Sequence, residues 1–238
     1  MGVSVSDSAS QIDLSARKWV RPCALGVCVS LLSFALAMGV AMWLYPGGNW
    51  LDRSAPGHRF FANFLCDLTQ PVSLSGVENR LGSRCAQFGM LSFALALAGF
   101  FGLLPELFAP GGRAAPWVRA LGGGAMLVFV AVPLTPSLTF GNWHERLALL
   151  AGTLGLAAAL LAVHALWRAP RRARSLGVLG ALAVAVGALD AALFVYHLGD
   201  AAPPLLVPAI QKVAAVLLCA WMLATAWLAL AKARATRP

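Results

Sequence analysis

The polar segments of this chain carry side chains that transfer protons in enzymes. Asn63 and Asp67 lie in "HRFFANFLCDL", and His144 and Glu145 lie in "GNWHERLALL". Imidazole and carboxylate groups act as general acids and bases, and an Asn amide orients a substrate or donates to an oxyanion. These four residues are therefore the candidate catalytic residues.

The same segments contain candidate ligands for a catalytic zinc ion, which needs about three protein ligands and one open position. The set comprises His58, His144 and His197 with Asp67 or Glu145. No His-Glu-x-x-His motif joins them, so the ligands would come from distant segments. The alternative is that His144 and His197 cap helix ends beside Trp143 and Tyr196 at a membrane interface.

The composition identifies the solvent in which these side chains must be positioned. The chain has 238 residues, of which 60% are hydrophobic and only 11% charged, against about 25% charged in soluble domains. The formal charge is +9, but most Lys and Arg residues flank the apolar runs, which is typical of membrane orientation and not of nucleic-acid binding. Runs this long favour helices over barrel strands. The sequence predicts a helical membrane protein.

Six apolar runs are long enough to cross a bilayer. They lie at about 22–45, 86–108, 117–140, 143–168, 175–198 and 204–231. We expect one all-α domain, 17–238, forming a six-helix bundle, preceded by a disordered cytoplasmic tail, 1–16. Pro133 and Pro136 are expected to kink the third helix or end it early.

The distribution of Lys and Arg predicts the orientation. Most of them lie at the chain termini and in the connections near residues 113–119 and 168–174. The positive-inside rule then places both termini in the cytoplasm and the 46–85 loop outside the plasma (inner) membrane. His58, His144 and His197 fall on that outer side.

Asp190 and Lys212 are ionisable residues inside predicted spans. Asp190 precedes His197 by seven residues and lies about 10 Å deeper on the same helix face. Lys212 lies about 12 Å inside the last span from the same side. Two interpretations remain open: a structural ion pair between the last two helices, or the floor of a polar cavity with His144, Glu145 and His197 at its rim.

The outer loop is expected to contain a short amphipathic helix. Arg59, Asn63 and Asp67 repeat at i, i+4 and i+8, which puts them on one stripe. Cys66 and Cys85 also lie on the outer side, where a disulfide is one possibility. The other is that Cys66 packs as a small hydrophobic residue.

Three motifs give the chain a family resemblance: "YPGG" at 45–48, "NFLCDL" at 63–68 and "NWHERLALLAG" at 142–152. They resemble signatures of a six-span prokaryotic family catalogued as domain of unknown function 998, which is remotely similar to the Frag/DRAM/Sfk group. Some members of that group remodel lipid anchors. The resemblance implies a site at Asn63, Asp67 and His144. Cys66 stands where the family pattern has Ser, which puts a Ser nucleophile in doubt, although a Cys is chemically able to replace it.

Three functions are compatible with these residues. The first is a lipid hydrolase or acyl transferase at the outer leaflet. Its substrate would be a membrane lipid, and the four candidate catalytic residues would carry out the reaction. The second is a small-molecule transporter, in which Arg59 and His197 bind a polar group and Asp190 with Lys212 forms a gate or proton relay. The third is an accessory membrane protein without catalysis.

Overall fold

The computed structural model describes residues 18–109, 112–169, 171–198 and 203–235. The predicted tail, 1–16, lies outside these residues. Within the described part, six helices are long and apolar enough to cross a membrane, and no β-strand longer than an isolated bridge is present. The chain is therefore an integral membrane protein with an all-α six-span bundle, as the sequence predicted.

Seven α-helices lie in the described part, and all except the short α4 are membrane spans. They are α1 Val20–Leu44, α2 Arg80–Leu103, α3 Ala114–Ala131, α4 Ser137–Phe140, α5 Asn142–Trp167, α6 Arg171–Tyr196 and α7 Leu206–Ala235. Short 3₁₀ helices cover Leu65–Thr69, Leu104–Leu107 and Val132–Leu134. The predicted spans agree with these helices to within about six residues at each end, except that the third span was expected to reach residue 140 and α3 ends at Ala131.

The two prolines end the third span early, as predicted. The last α-helical residue of α3 is Ala131, and Pro133 lies in the 3₁₀ turn that follows. Pro136 caps the N-terminus of α4. Gly141 has a φ of 49° between α4 and α5, a backbone conformation that glycine adopts without strain.

The six spans form a closed ring in the order α1, α2, α3, α5, α6 and α7, and α7 also contacts α1. Glycines allow two of the close approaches. A Cβ atom on Gly122 of α3 would overlap the Phe101 ring, and one on Gly180 of α6 would overlap the Trp221 indole. Small residues at helix crossings are the usual means of tight packing in membranes.

The 45–79 segment joins α1 to α2 and is called the long loop below. It lies at the end of the bundle where α5 begins, α6 ends and α7 begins, and we call this end the loop end. The predicted amphipathic helix is present only as the 3₁₀ helix Leu65–Thr69. Arg59 is exposed, whereas Asn63 and Asp67 are buried, so the three do not share a stripe. Asn63 and Asp67 accept backbone N–H groups through their side chains, and such bonds compete with a regular helix.

Candidate functional site

A cavity of about 660 Å³ lies inside the ring of helices, and residues from all six spans and the long loop line it. On α5 the lining extends from His144 to Ala159, about 22 Å along the helix axis at 1.5 Å per residue. Most lining residues are apolar or aromatic. The cavity is thus long and largely apolar, and all six spans border it.

Five of the nine candidate site residues line this cavity: Asp67, His144, Glu145, Asp190 and His197. Four of them lie at the loop end, and Asp190 lies about 10 Å deeper along α6. Asn63 and Lys212 are buried beside the long loop but do not line the cavity, and Arg59 is exposed. The polar lining residues therefore collect towards one end of an apolar space.

The Asp67 carboxylate is 2% exposed and accepts three hydrogen bonds. The Trp50 Nε1–H donates to Oδ1 over 3.1 Å, while the Asn63 amide (3.2 Å) and the Phe64 backbone N–H (2.8 Å) donate to Oδ2. Burial raises the pKa of Asp67 to about 6, although these donors and the Lys212 charge oppose the rise. A carboxyl group with such a pKa exchanges its proton near neutral pH, which suits an acid–base residue.

Asn63 positions Asp67. Its amide nitrogen donates to Asp67 and also to the Gly48 carbonyl over 2.8 Å, while its Oδ1 accepts the Arg59 backbone N–H over 3.0 Å. Both amide hydrogens are thus directed at protein acceptors. While these bonds hold, Asn63 has no hydrogen left for an oxyanion, so the geometry favours the orienting role over the donor role.

Two neighbouring residues of α7 hold the long loop. The Lys212 ammonium, which is 3% exposed, donates to the Asn63 backbone carbonyl, and Gln211 Oε1 accepts the Leu65 backbone N–H over 2.9 Å. Lys212 and Asp190 interact electrostatically, but these two described residues do not form the direct ion pair of the first interpretation. Of the cavity floor in the second interpretation, Asp190 lines the cavity and Lys212 does not. The reason is that the flexible Lys side chain extends towards the loop carbonyl at the end of the span.

His144 is 5% exposed, and its Nδ1 lies 2.8 Å from the Thr135 carbonyl oxygen. A carbonyl only accepts, so Nδ1 carries the proton and, in the neutral ring, Nε2 is the acceptor. The break between α3 and α4 leaves Thr135 outside regular helix. The proline-induced break therefore sets the tautomer of His144, and a fixed tautomer is what a general base needs.

The predicted zinc ligands do not converge. Within the described ranges, no three His, Cys, Asp or Glu side chains are arranged to hold a metal ion. His197 stacks edge-on with Tyr196 at 4.9 Å between ring centroids. His58 does not line the cavity and lies edge-on to Tyr45. Burial, with a contribution from the Lys212 charge, lowers the pKa of His58 to about 4.

Cys66 and Cys85 are free thiols, so they do not form a disulfide. Both pack against the same apolar cluster, which agrees with the alternative that Cys66 packs as a small hydrophobic residue. Burial raises the pKa of the Cys66 thiol to about 12. The reactive form of cysteine is the thiolate. Cys66 is therefore a poor replacement for a serine nucleophile.

Sequence reasoning missed Trp50, Gln211 and Thr135. Gln211 carried a usable signal, because an uncharged polar residue next to a lysine inside an apolar run usually has a buried partner. Trp50 and Thr135 gave none, since their roles depend on the loop path and on the helix break. No family model matches the chain, and no curated protein or solved structure is significantly similar to it.

Proposed function

We propose that this membrane protein binds a lipid or lipid-linked molecule in the cavity and acts on its polar end as a hydrolase or acyl transferase. The observation that carries the proposal is the asymmetry of the cavity. Its lining extends about 22 Å along α5 and is mostly apolar from Ala148 onwards, which suits an acyl or isoprenoid chain, and its ionisable residues lie mostly at the loop end. An amphiphile has the same distribution of polar and apolar groups.

The orientation predicted from Lys and Arg makes the loop end the outer side, so the polar group of the ligand would lie near the outer leaflet. The resemblance to the six-span family supports a site at the loop end, because Asn63, Asp67 and His144 lie in the motifs that carry it. We therefore also propose that the chain belongs to that six-span family and takes part in lipid remodelling.

In the proposed reaction His144 Nε2 accepts a proton from the attacking water or hydroxyl group. Asp67 exchanges a proton near neutral pH and serves as the acid for the leaving group, while Asn63 orients it. Glu145 follows His144 in the first turn of α5. Its negative charge stabilises the N-terminus of the helix and would also stabilise a protonated His144 imidazole. His144→Ala is expected to abolish turnover while lipid binding persists.

The test of binding is a cavity-filling substitution. Gly152 lines the cavity, and a Cβ atom there meets nothing within 4 Å, so a leucine at this position fits without a clash and adds bulk to the cavity wall. Gly39→Leu is the matched control, because Gly39 is exposed on α1 and equally unobstructed. Native mass spectrometry of the purified proteins should show lipid retained by wild type and Gly39→Leu and lost from Gly152→Leu. Equal retention in all three would contradict the proposal.

Transport is a second candidate, which Asp190 favours. This half-buried carboxylate lies inside α6 and interacts electrostatically with Lys212 across the α6–α7 contact. Ionisable residues at such depth are typical of ion and proton pathways. In proteoliposomes, a ligand flux that requires Asp190 but survives His144→Ala would favour transport over catalysis.

A further inference from the structure

The cavity lining contains acidic residues and no Lys or Arg among the described residues. Three carboxylates line the cavity, those of Asp67, Glu145 and Asp190. The nearest buried cation is Lys212, whose ammonium is directed at the Asn63 carbonyl. If Asp67 is protonated, two carboxylates still face one ammonium group. The polar end of the cavity is therefore negative or, with protonated imidazoles, close to neutral.

The Asp190 carboxylate has no hydrogen bond or ion pair with any described residue, apart from its longer-range interaction with Lys212. A carboxylate inside an apolar span is costly without a partner. Because Asp190 lines the cavity, a ligand in the cavity is able to supply that partner.

Aromatic side chains accompany the carboxylates. Trp50 and Phe64 line the cavity beside Asp67, and Phe194 lines it one helical turn after Asp190. Aromatic faces attract organic cations, most strongly where water is excluded. Phosphate groups are recognised instead by Arg, Lys or helix N-termini, and the first turn of α5 already contains Glu145.

We infer that the ligand of this cavity is an amphiphile whose polar end is a cation, such as a protonated or quaternary ammonium group. Its charge would lie among Glu145, Asp190 and the aromatic rings, and its apolar part would extend along α5. The inference rests on the proposed function for the presence of a ligand, and it adds the sign of that ligand's charge. Lipids with a phosphate monoester or other purely anionic head are disfavoured.

The test uses two probes with nearly the same shape and opposite charge. Tetraphenylphosphonium and tetraphenylborate are titrated into wild-type protein in nanodiscs of neutral lipid, and the partitioning into empty nanodiscs is subtracted. Saturable binding of the phosphonium is expected, with an affinity about tenfold or more above that of the borate. Equal affinities, or tighter binding of the borate, would overturn the inference.

Substitutions locate the charge that makes the difference. Glu145→Gln and Asp190→Asn keep the side-chain shape and should each weaken phosphonium binding about tenfold. Glu78→Gln is the matched control, since Glu78 is an exposed acid of the long loop that pairs with Arg80, and it should bind like wild type. If the control weakens binding as much as the other two, the proposed cation site is wrong. If one of these variants does not fold, the comparison of phosphonium and borate binding to wild type decides the question.

A neutral probe separates the two proposals. A long-chain alcohol with a diazirine group should label wild type and not Gly152→Leu if the cavity binds apolar chains. Such labelling, without preference for the phosphonium over the borate, would refute the cationic ligand and leave the proposed function standing. Absence of both labelling and phosphonium binding would refute both.

Discussion

The titration of Asp67 is expected to make the stability of the protein depend on pH in the acidic range. The folded-state pKa of about 6 lies above the ordinary value of 3.8, so the folded protein binds the proton more tightly than the unfolded chain. Stability therefore falls as pH rises from about 4 to about 6 and is then constant with respect to this group. At 1.36 kcal/mol for each pKa unit, the loss is about 3 kcal/mol.

The substitution Asp67→Asn removes this titration. The Asn oxygen is able to accept from Asn63 and Phe64, but its NH₂ group then faces the Trp50 Nε1–H, which costs about 1–3 kcal/mol. The variant should be less stable than wild type near pH 4 and approach or exceed it above pH 7. The difference between the two proteins should change by about 3 kcal/mol across that range.

The measurement is reversible unfolding in mixed micelles at pH values from 4 to 8, compared between wild type and Asp67→Asn. Comparing the two proteins cancels the titration of the other groups. Glu78→Gln, which removes an exposed carboxylate from the same loop, should follow the wild-type profile. A difference between wild type and Asp67→Asn that does not change with pH would refute the buried, proton-binding Asp67.

Two further predictions concern packing and the long loop. Gly180→Ala places a methyl group against the Trp221 indole and should lower the free energy of unfolding by about 1–3 kcal/mol. Gly123→Ala, where a Cβ atom meets nothing, should be neutral or stabilising, and equal losses in both variants would contradict the packing. Lys212→Met removes the donor to the Asn63 carbonyl and should speed hydrogen exchange in residues 58–68 about tenfold or more. Unchanged exchange there would show that Lys212 does not hold the loop.

The membrane fold was predictable because apolar runs of about 20 residues have few alternatives to transmembrane helices. Pro133 and Pro136 also fixed the end of α3, since proline removes a backbone donor wherever it occurs. The grouping of Asp67, His144 and His197 at one end followed from the alternating direction of the spans. These inferences needed only the chain order and the chemistry of single residues.

The partners of the polar residues were not predictable in the same way. Lys212 pairs with a backbone carbonyl of the long loop and not directly with Asp190, because the loop folds back over the end of α7. Arg59 is exposed, because Asn63 and Asp67 bond to nearby backbone groups and prevent a regular helix. The mostly apolar character of the cavity, where a polar pocket was expected, depends on which helix faces turn inwards. The Lys212 bond and the cavity lining depend on contacts between residues far apart in sequence, whereas the loss of the regular helix depends on local side-chain bonds that compete with it.

The most direct test of the central claim is to map where an apolar chain contacts the protein. A long-chain alcohol with a diazirine near its chain end is photolysed with wild type in nanodiscs, and the labelled residues are identified by mass spectrometry. The labelling yield at cavity-lining positions such as Leu156 and Ala159 should exceed the yield at the exposed, lipid-facing Leu150 and Leu160. Gly152→Leu should abolish the labelling of the cavity-lining positions only. Labelling confined to lipid-facing positions, or unchanged by Gly152→Leu, would contradict a lipid-binding cavity.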